Sequence, residues 1–137
     1  MLFYQTSNYD IIKKAMKVLV VDDNQLLLQA LCEALEDKGF DTSVATNGKE
    51  ALEQIEKERP DLVIMDIVMP VMNGIDATKA IRANPQYKGL PVVAFTSKSN
   101  IGQWDEIFDD YLIKPFDFDN VLRIIERFIA KSKSSFF

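Results

Sequence analysis

Residues 62–66 read Leu62-Val63-Ile64-Met65-Asp66, and residues 18–23 read Val18-Leu19-Val20-Val21-Asp22-Asp23. Each is a short, unbroken apolar run closed by carboxylates. Runs of this kind fit strands buried on both faces, as in a parallel sheet covered by helices. In such a sheet the crevice lies beyond the carboxyl ends of the strands, so acids that end neighbouring strands face one shared pocket. Like charges gathered there repel, and one protonates unless a cation neutralises them. A hard divalent ion suits the set, because Mg2+ takes one or two carboxylates together with waters and phosphate oxygens. The chain has no histidine. That removes imidazole bases, Ser-His triads, two-His zinc motifs and any phosphohistidine carried by the chain itself.

Outward from these runs, short apolar segments alternate with amphipathic ones. Lys17 to Val21 precedes Gln25 to Lys38, Thr42 to Ala45 precedes Lys49 to Glu58, and Leu62 to Met65 precedes Ile75 to Ala83. Val92 to Phe95 then precedes a short segment near Gln103 to Phe108, and Tyr111 to Ile113 precedes Phe118 to Ala130. Five βα units result, with right-handed crossovers. Gly39, Asn47-Gly48, Pro60-Asp61 and Asn84-Pro85 punctuate them. In the first helix, Leu26, Leu27, Ala30, Leu31, Ala34 and Leu35 form one stripe and are the expected core face. Leu28 and Cys32 fall outside it, as an apolar patch beside the acids.

At 137 residues the chain is expected to form one domain, with residues 1–16 an N-terminal extension, 17–130 the folded body and 131–137 a tail. Tyr9, Ile12 and Met16 have helical spacing, so a short helix packed on the body is expected before the first strand. Sixteen basic residues stand against 21 acidic ones, a net charge of −5, with no Lys/Arg cluster for a row of phosphates. Direct nucleic-acid contact is disfavoured. The single cysteine and the lack of a long apolar stretch point to a reducing cytoplasm and no membrane insertion.

Two further polar residues end strands: Thr96 after Val92-Val93-Ala94-Phe95, and Lys114 after Tyr111-Leu112-Ile113. Acids, a hydroxyl and an ammonium together suit phosphoryl transfer to a carboxylate, whose transition state needs an in-line nucleophile, a metal and donors for the equatorial oxygens. Alone, each has a plainer reading: Asp22-Asp23 as a helix N-cap, Thr96 as a strand-end hydroxyl, Lys114 as a solvated charge, Tyr111 as strand packing.

From Lys17 to Ala130 the chain resembles the receiver domain of bacterial two-component response regulators. The resemblance rests on Val20-Val21-Asp22-Asp23-Asn24, Asp66-Ile67-Val68-Met69-Pro70-Val71-Met72-Asn73-Gly74, Phe95-Thr96-Ser97 and Asp110-Tyr111-Leu112-Ile113-Lys114-Pro115-Phe116. It implies a flavodoxin-like, doubly wound α/β fold, five parallel strands in the order 2-1-3-4-5 with helices on both faces. It implies Asp66 as phosphoacceptor, Asp22, Asp23, Asp66 and the Val68 carbonyl as Mg2+ ligands, and Thr96 and Lys114 as partners of the phosphoryl group. Tyr111 matches the switch aromatic, and a cis bond is implied between Lys114 and Pro115.

The interval from Thr96 to Lys114 is shorter than the family's usual spacing by about one helical turn, so a shortened fourth helix is expected, with Trp104, Ile107 and Phe108 folded over the gap. The implied function is a signalling switch phosphorylated by a histidine kinase or histidine phosphotransfer protein and changing the binding of a downstream protein. It catalyses only its own phosphorylation and dephosphorylation, as a stand-alone regulator, a phosphorelay shuttle or an excised receiver. The alternative is a Mg2+-dependent phosphohydrolase with an aspartate nucleophile at the first strand. A flavodoxin-like mononucleotide binder is a third reading, opposed by the absence of a Gly-rich or Ser/Thr-rich loop after Val21.

Overall fold

A computed structural model describes residues 16–97 and 102–134. The strands are β1 (Lys17–Val21), β2 (Asp41–Ala45), β3 (Leu62–Asp66), β4 (Val92–Thr96) and β5 (Asp110–Ile113). The helices are α1 (Gln25–Asp37), α2 (Gly48–Lys57), α3 (Gly74–Ala83) and α4 (Phe118–Ser134), and a 3-10 turn spans Pro85–Tyr87. The strands form one all-parallel sheet in the expected order, β2-β1-β3-β4-β5.

Alternation along the strands builds two cores. Val18, Val20, Ile64 and Phe95 pack with Leu28, Leu31 and Leu35 of α1 and Val121, Ile125 and Ile129 of α4. Leu19, Val21, Val63 and Met65 pack with Ala51 and Ile55 of α2 and Ala77 and Ile81 of α3. Every residue of β3 and β4 is buried, so these central strands have no solvent face.

The first three helices start alike. The side chains of Asn24, Asn47 and Asn73 accept the amides of Leu27, Glu50 and Asp76 at 3.2, 2.9 and 2.8 Å, satisfying donors the helix leaves open. The cap of α1 is therefore Asn24, not Asp22 or Asp23, which leaves those acids for the crevice.

Two expectations change. The buried face of α1 is Leu28, Leu31, Cys32 and Leu35, while Leu26 is 80% exposed and Ala30 is also on the surface. Leu28 and Cys32 are core, not a surface patch. Second, in the described part of the connection from β4 to β5, residues 102–107 are a run of turns where a shortened helix was expected. Phe108 is buried there, with Trp104 and Ile107 partly buried against the α2/α3 side. Arg82 of α3 fastens this connection: its guanidinium donates to the carbonyls of Ile107 (2.8 Å) and Leu90 (2.6 Å) and to Asp109 Oδ2 (2.8 Å). The expected helix around Tyr9 and Ile12 lies outside the described residues. Helix α4 runs on to Ser134, past Ala130.

Candidate functional site

The chain passes from β1 to β2 on one side and then to β3 on the other, so the sheet's switch point lies between β1 and β3. Register then sets the site. Val21 pairs with Met65, Asp66 with Phe95, and Thr96 with Ile113. Asp22, Asp66, Thr96 and Lys114 thus stand side by side at the carboxyl edge of four neighbouring strands.

Carboxylate oxygens of Asp22, Asp23 and Asp66 lie within 4.8 Å of one another. Asp22 and Asp66 are buried, and Asp23 is exposed. Lys114 Nζ reaches Asp22 Oδ2 at 3.0 Å and Asp66 Oδ1 at 3.4 Å, and it sits 4.7 Å from the ring centroid of Phe95. Asp22 Oδ1 also accepts the Asn24 amide at 2.9 Å. The Lys114–Pro115 peptide is cis, as the resemblance implied.

One ammonium does not balance three carboxylates. Burial, then repulsion from Asp22, raises the Asp66 carboxyl from 3.8 to about 6, against the lowering effects of Lys114 and of the Val68 amide that hydrogen-bonds it. Burial works against the charge on Lys114, but its bonds and charge attraction to Asp22 and Asp66 prevail and hold the ammonium above its usual value. An all-oxygen cluster short of positive charge suits a hard divalent cation. Beside it, Thr96 is 3% exposed and its hydroxyl has no hydrogen-bond partner among the described residues, the state of a donor open to an acceptor.

Of the other two expected residues, Val68 touches the cluster through its backbone and Tyr111 lies beside it. Val68 gives its amide to Asp66 while its side chain is 74% exposed. Tyr111 is half-buried, its hydroxyl accepting the Trp104 amide at 3.1 Å and bonding the Asp105 side chain. Its ring packs edge-on to Phe108 at 6.0 Å. Tyr111 is thus tied to the turns that lead into β5.

In the sequence Gly74 stands out only as the last residue of the 66–74 motif. A Cβ there would lie 2.0 Å from the backbone oxygen of Asp66 and 2.8 Å from Met65 Cγ, so glycine lets α3 begin against the end of β3. The hydrogen bond from the Gly74 amide to the Ile67 carbonyl, 2.9 Å, closes the loop that carries Val68.

An all-parallel sheet of order 2-1-3-4-5 whose carboxyl edge gathers acids and a lysine defines the receiver class. The chain belongs to the response regulator receiver domain family, whose profile matches residues 18–126. Among curated proteins it is similar to the DNA-binding response regulator MtrA of Mycobacterium tuberculosis, 39% identical over 104 residues that cover 73% of this chain and 44% of MtrA. The chain thus spans less than half the length of that relative. Among solved structures, the chemotaxis response regulator CheY4 of Vibrio cholerae aligns with TM-score 0.76 at 34% identity, covering 82% of this chain and 98% of CheY4. The receiver domain of sensor histidine kinase PA1611 from Pseudomonas aeruginosa, solved with magnesium coordinated in its active-site cleft, aligns with TM-score 0.72 at 30% identity. It is covered to 98%, and this chain to 84%. The chain is a receiver domain of two-component signalling. No described helix is long and apolar enough to cross a membrane.

Proposed function

We propose that Asp66 accepts a phosphoryl group from a phosphohistidine on a histidine kinase or histidine phosphotransfer protein, in a Mg2+-dependent reaction that alters binding of a downstream protein. The observation that carries this is the carboxylate cluster of Asp22, Asp23 and Asp66, bridged in part by Lys114. A carboxylate oxygen of Asp66 attacks phosphorus, the phosphorus–nitrogen bond breaks, and the imidazole leaves with the bonding pair. Lys114 Nζ and the Thr96 hydroxyl stabilise the phosphoryl oxygens. Mg2+, held by Asp22, Asp23, Asp66 and the Val68 carbonyl, would supply the positive charge these oxygens and the acid cluster require.

Added charge at Asp66 draws Thr96 and Lys114 towards it and shifts the population of loop arrangements, with Tyr111 following. The output proposed is contact with protein, in a cytoplasmic setting: a chain of net charge −5 without a basic cluster is poorly suited to nucleic acid. DNA binding is named for MtrA, of which this chain covers 44%.

The phosphohydrolase alternative uses a first-strand acid as nucleophile. Asp22 is 1% exposed against 6% for Asp66 and holds Lys114 more closely, at 3.0 against 3.4 Å, which favours Asp66. Incubation with acetyl phosphate and Mg2+, followed by intact mass, tests the choice. A phosphoryl adduct lost in Asp66→Asn is expected; rapid turnover that depends on Asp22 and ignores Asp66 would establish the hydrolase instead.

A further inference from the structure

The amino edge of the sheet, opposite the acids, carries a groove of about 350 Å3. Its floor is the feet of four strands: Met16 before β1, Asp61 before β3, Pro91 before β4 and Asp109 before β5. Its wall is α4, through Phe128 and Lys131. Phe128 is already level with the strand feet, and residues 129–134 carry the helix on by about 9 Å. The end of α4 thus overhangs the sheet. The notch beneath it far exceeds a void between packed side chains, and a Cβ added at Gly89, on its rim, would meet nothing within 4 Å.

Residues 1–15, outside the described residues, are joined to the chain at this groove. Met16 lines it and is fixed there, 5% exposed, with its carbonyl accepting the Asp41 amide at 3.1 Å. Ile12 is therefore held within about 14 Å of Met16 whatever its conformation. A tether this short gives an effective concentration on the order of millimolar. The pattern of the segment matches the groove. Tyr9, Ile12 and Met16 share one helical face, Lys13 borders it, and Ile11 falls about 130° from its centre. Opposite stand the half-buried ring of Phe128 and the exposed carboxylate of Asp61. Asp109 is already held by Arg82, so Asp61 is the acid that Lys13 would meet. In the segment Lys13 and Lys14 outnumber Asp10, whereas the rest of the chain is acidic overall.

We propose that the groove is the seat of this chain's own residues 9–15, which fold back as a strap with Tyr9 and Ile12 on Phe128 and Pro91 and Lys13 on Asp61. The strap fastens the overhanging end of α4 to the feet of the strands. It lies about 16 Å, the length of a five-residue strand, from the edge that carries Asp66. It therefore acts on the order of the last turns of α4 and leaves phosphoryl chemistry alone.

The test uses the full chain. A carbodiimide joins an amine to a carboxylate it touches, with loss of water, and peptide mass spectrometry then finds the link. A link from Lys13 to Asp61 within one molecule is expected, and Ile12→Ser should lower its yield at least about fivefold. In urea, Tyr9→Ser and Ile12→Ser should each raise the unfolding equilibrium constant roughly tenfold, the value of one buried side chain. Ile11→Ser, on the far face, should change it by less than about twofold. Amides of residues 126–134 should exchange faster in Ile12→Ser, while labelling by acetyl phosphate stays within about twofold of wild type in all three variants. Equal effects of Ile11→Ser and Ile12→Ser, or no Lys13 link together with no effect of Ile12→Ser, overturns the strap. So does a link that joins two isotopically distinct copies, which gives the groove to a second molecule. Faster exchange in Phe136→Ser and Phe137→Ser but not in Ile12→Ser gives it to the other terminus and overturns the strap as well.

Discussion

Replacing Asp66 by asparagine is expected to stabilise the metal-free protein at neutral pH. The folded chain holds the Asp66 proton more tightly than the unfolded chain does, because burial and Asp22 raise the carboxyl from 3.8 to about 6. At about 1.36 kcal/mol per tenfold, that difference makes ionised Asp66 cost the fold about 3 kcal/mol. The sign follows from proton binding: between 3.8 and about 6 the native state carries the extra proton, so stability falls as pH rises through this window and stays low above it. Asparagine removes the charge and its pH dependence together. Urea titrations of wild type and Asp66→Asn in chelator at about pH 8 should differ by about 3 kcal/mol, a midpoint shift of roughly 1–3 M for an m-value of about 1–3 kcal/mol/M. Near pH 4 the gap should shrink to about 0.5 kcal/mol. Adding Mg2+ at about a hundredfold over its Kd should return about 2.7 kcal/mol to the wild type and close most of the gap at pH 8. An Asp66→Asn protein no more stable than wild type in chelator at pH 8, or one whose gain persists at pH 4, would refute charge crowding as the state of this site.

Two further substitutions probe what holds the site in place. Gly74→Ala puts a Cβ 2.0 Å from the Asp66 carbonyl oxygen, and the shift it forces should cost about 3 kcal/mol in a thermal melt and abolish labelling by acetyl phosphate. Arg82→Ala releases the carbonyls of Ile107 and Leu90 and the Asp109 carboxylate. With the arginine side chain 26% exposed, the expected loss is about 2 kcal/mol, and amides of residues 102–109 should exchange faster while those of β1 stay protected.

The sheet was legible because parallel strands leave a simple trace: apolar runs too short for helices, each followed by an amphipathic stretch. The acids were legible because Asp22 and Asp66 break that trace at strand ends, where burial gives them no cheap place to be. Gly74 was not, since a glycine that makes a turn and one that lets a backbone press on Asp66 look the same until the neighbour is known. Arg82 was hidden for a similar reason. It holds main-chain carbonyls of Leu90 and Ile107, and such acceptors carry no side-chain signature.

The phase of α1 shows where periodicity runs out. At about 100° per residue, Leu26, Leu27, Leu28, Ala30, Leu31, Cys32, Ala34 and Leu35 spread over about 240° of the helix, so several faces qualify as the core stripe. Counting apolar residues favours the arc centred between Leu27 and Ala34. The fold instead turns the helix by about 100°, burying Leu28, Leu31, Cys32 and Leu35. Packing decides, because the Asn24 cap and the sheet face made by Val18 and Val20 fix the helix before its surplus leucines are placed. The rotation leaves Leu26 and Ala30, both in the expected stripe, on the surface. A surplus of apolar residues in α1 thus blurs the sequence signal, and the sheet face it packs on sets which of them are buried.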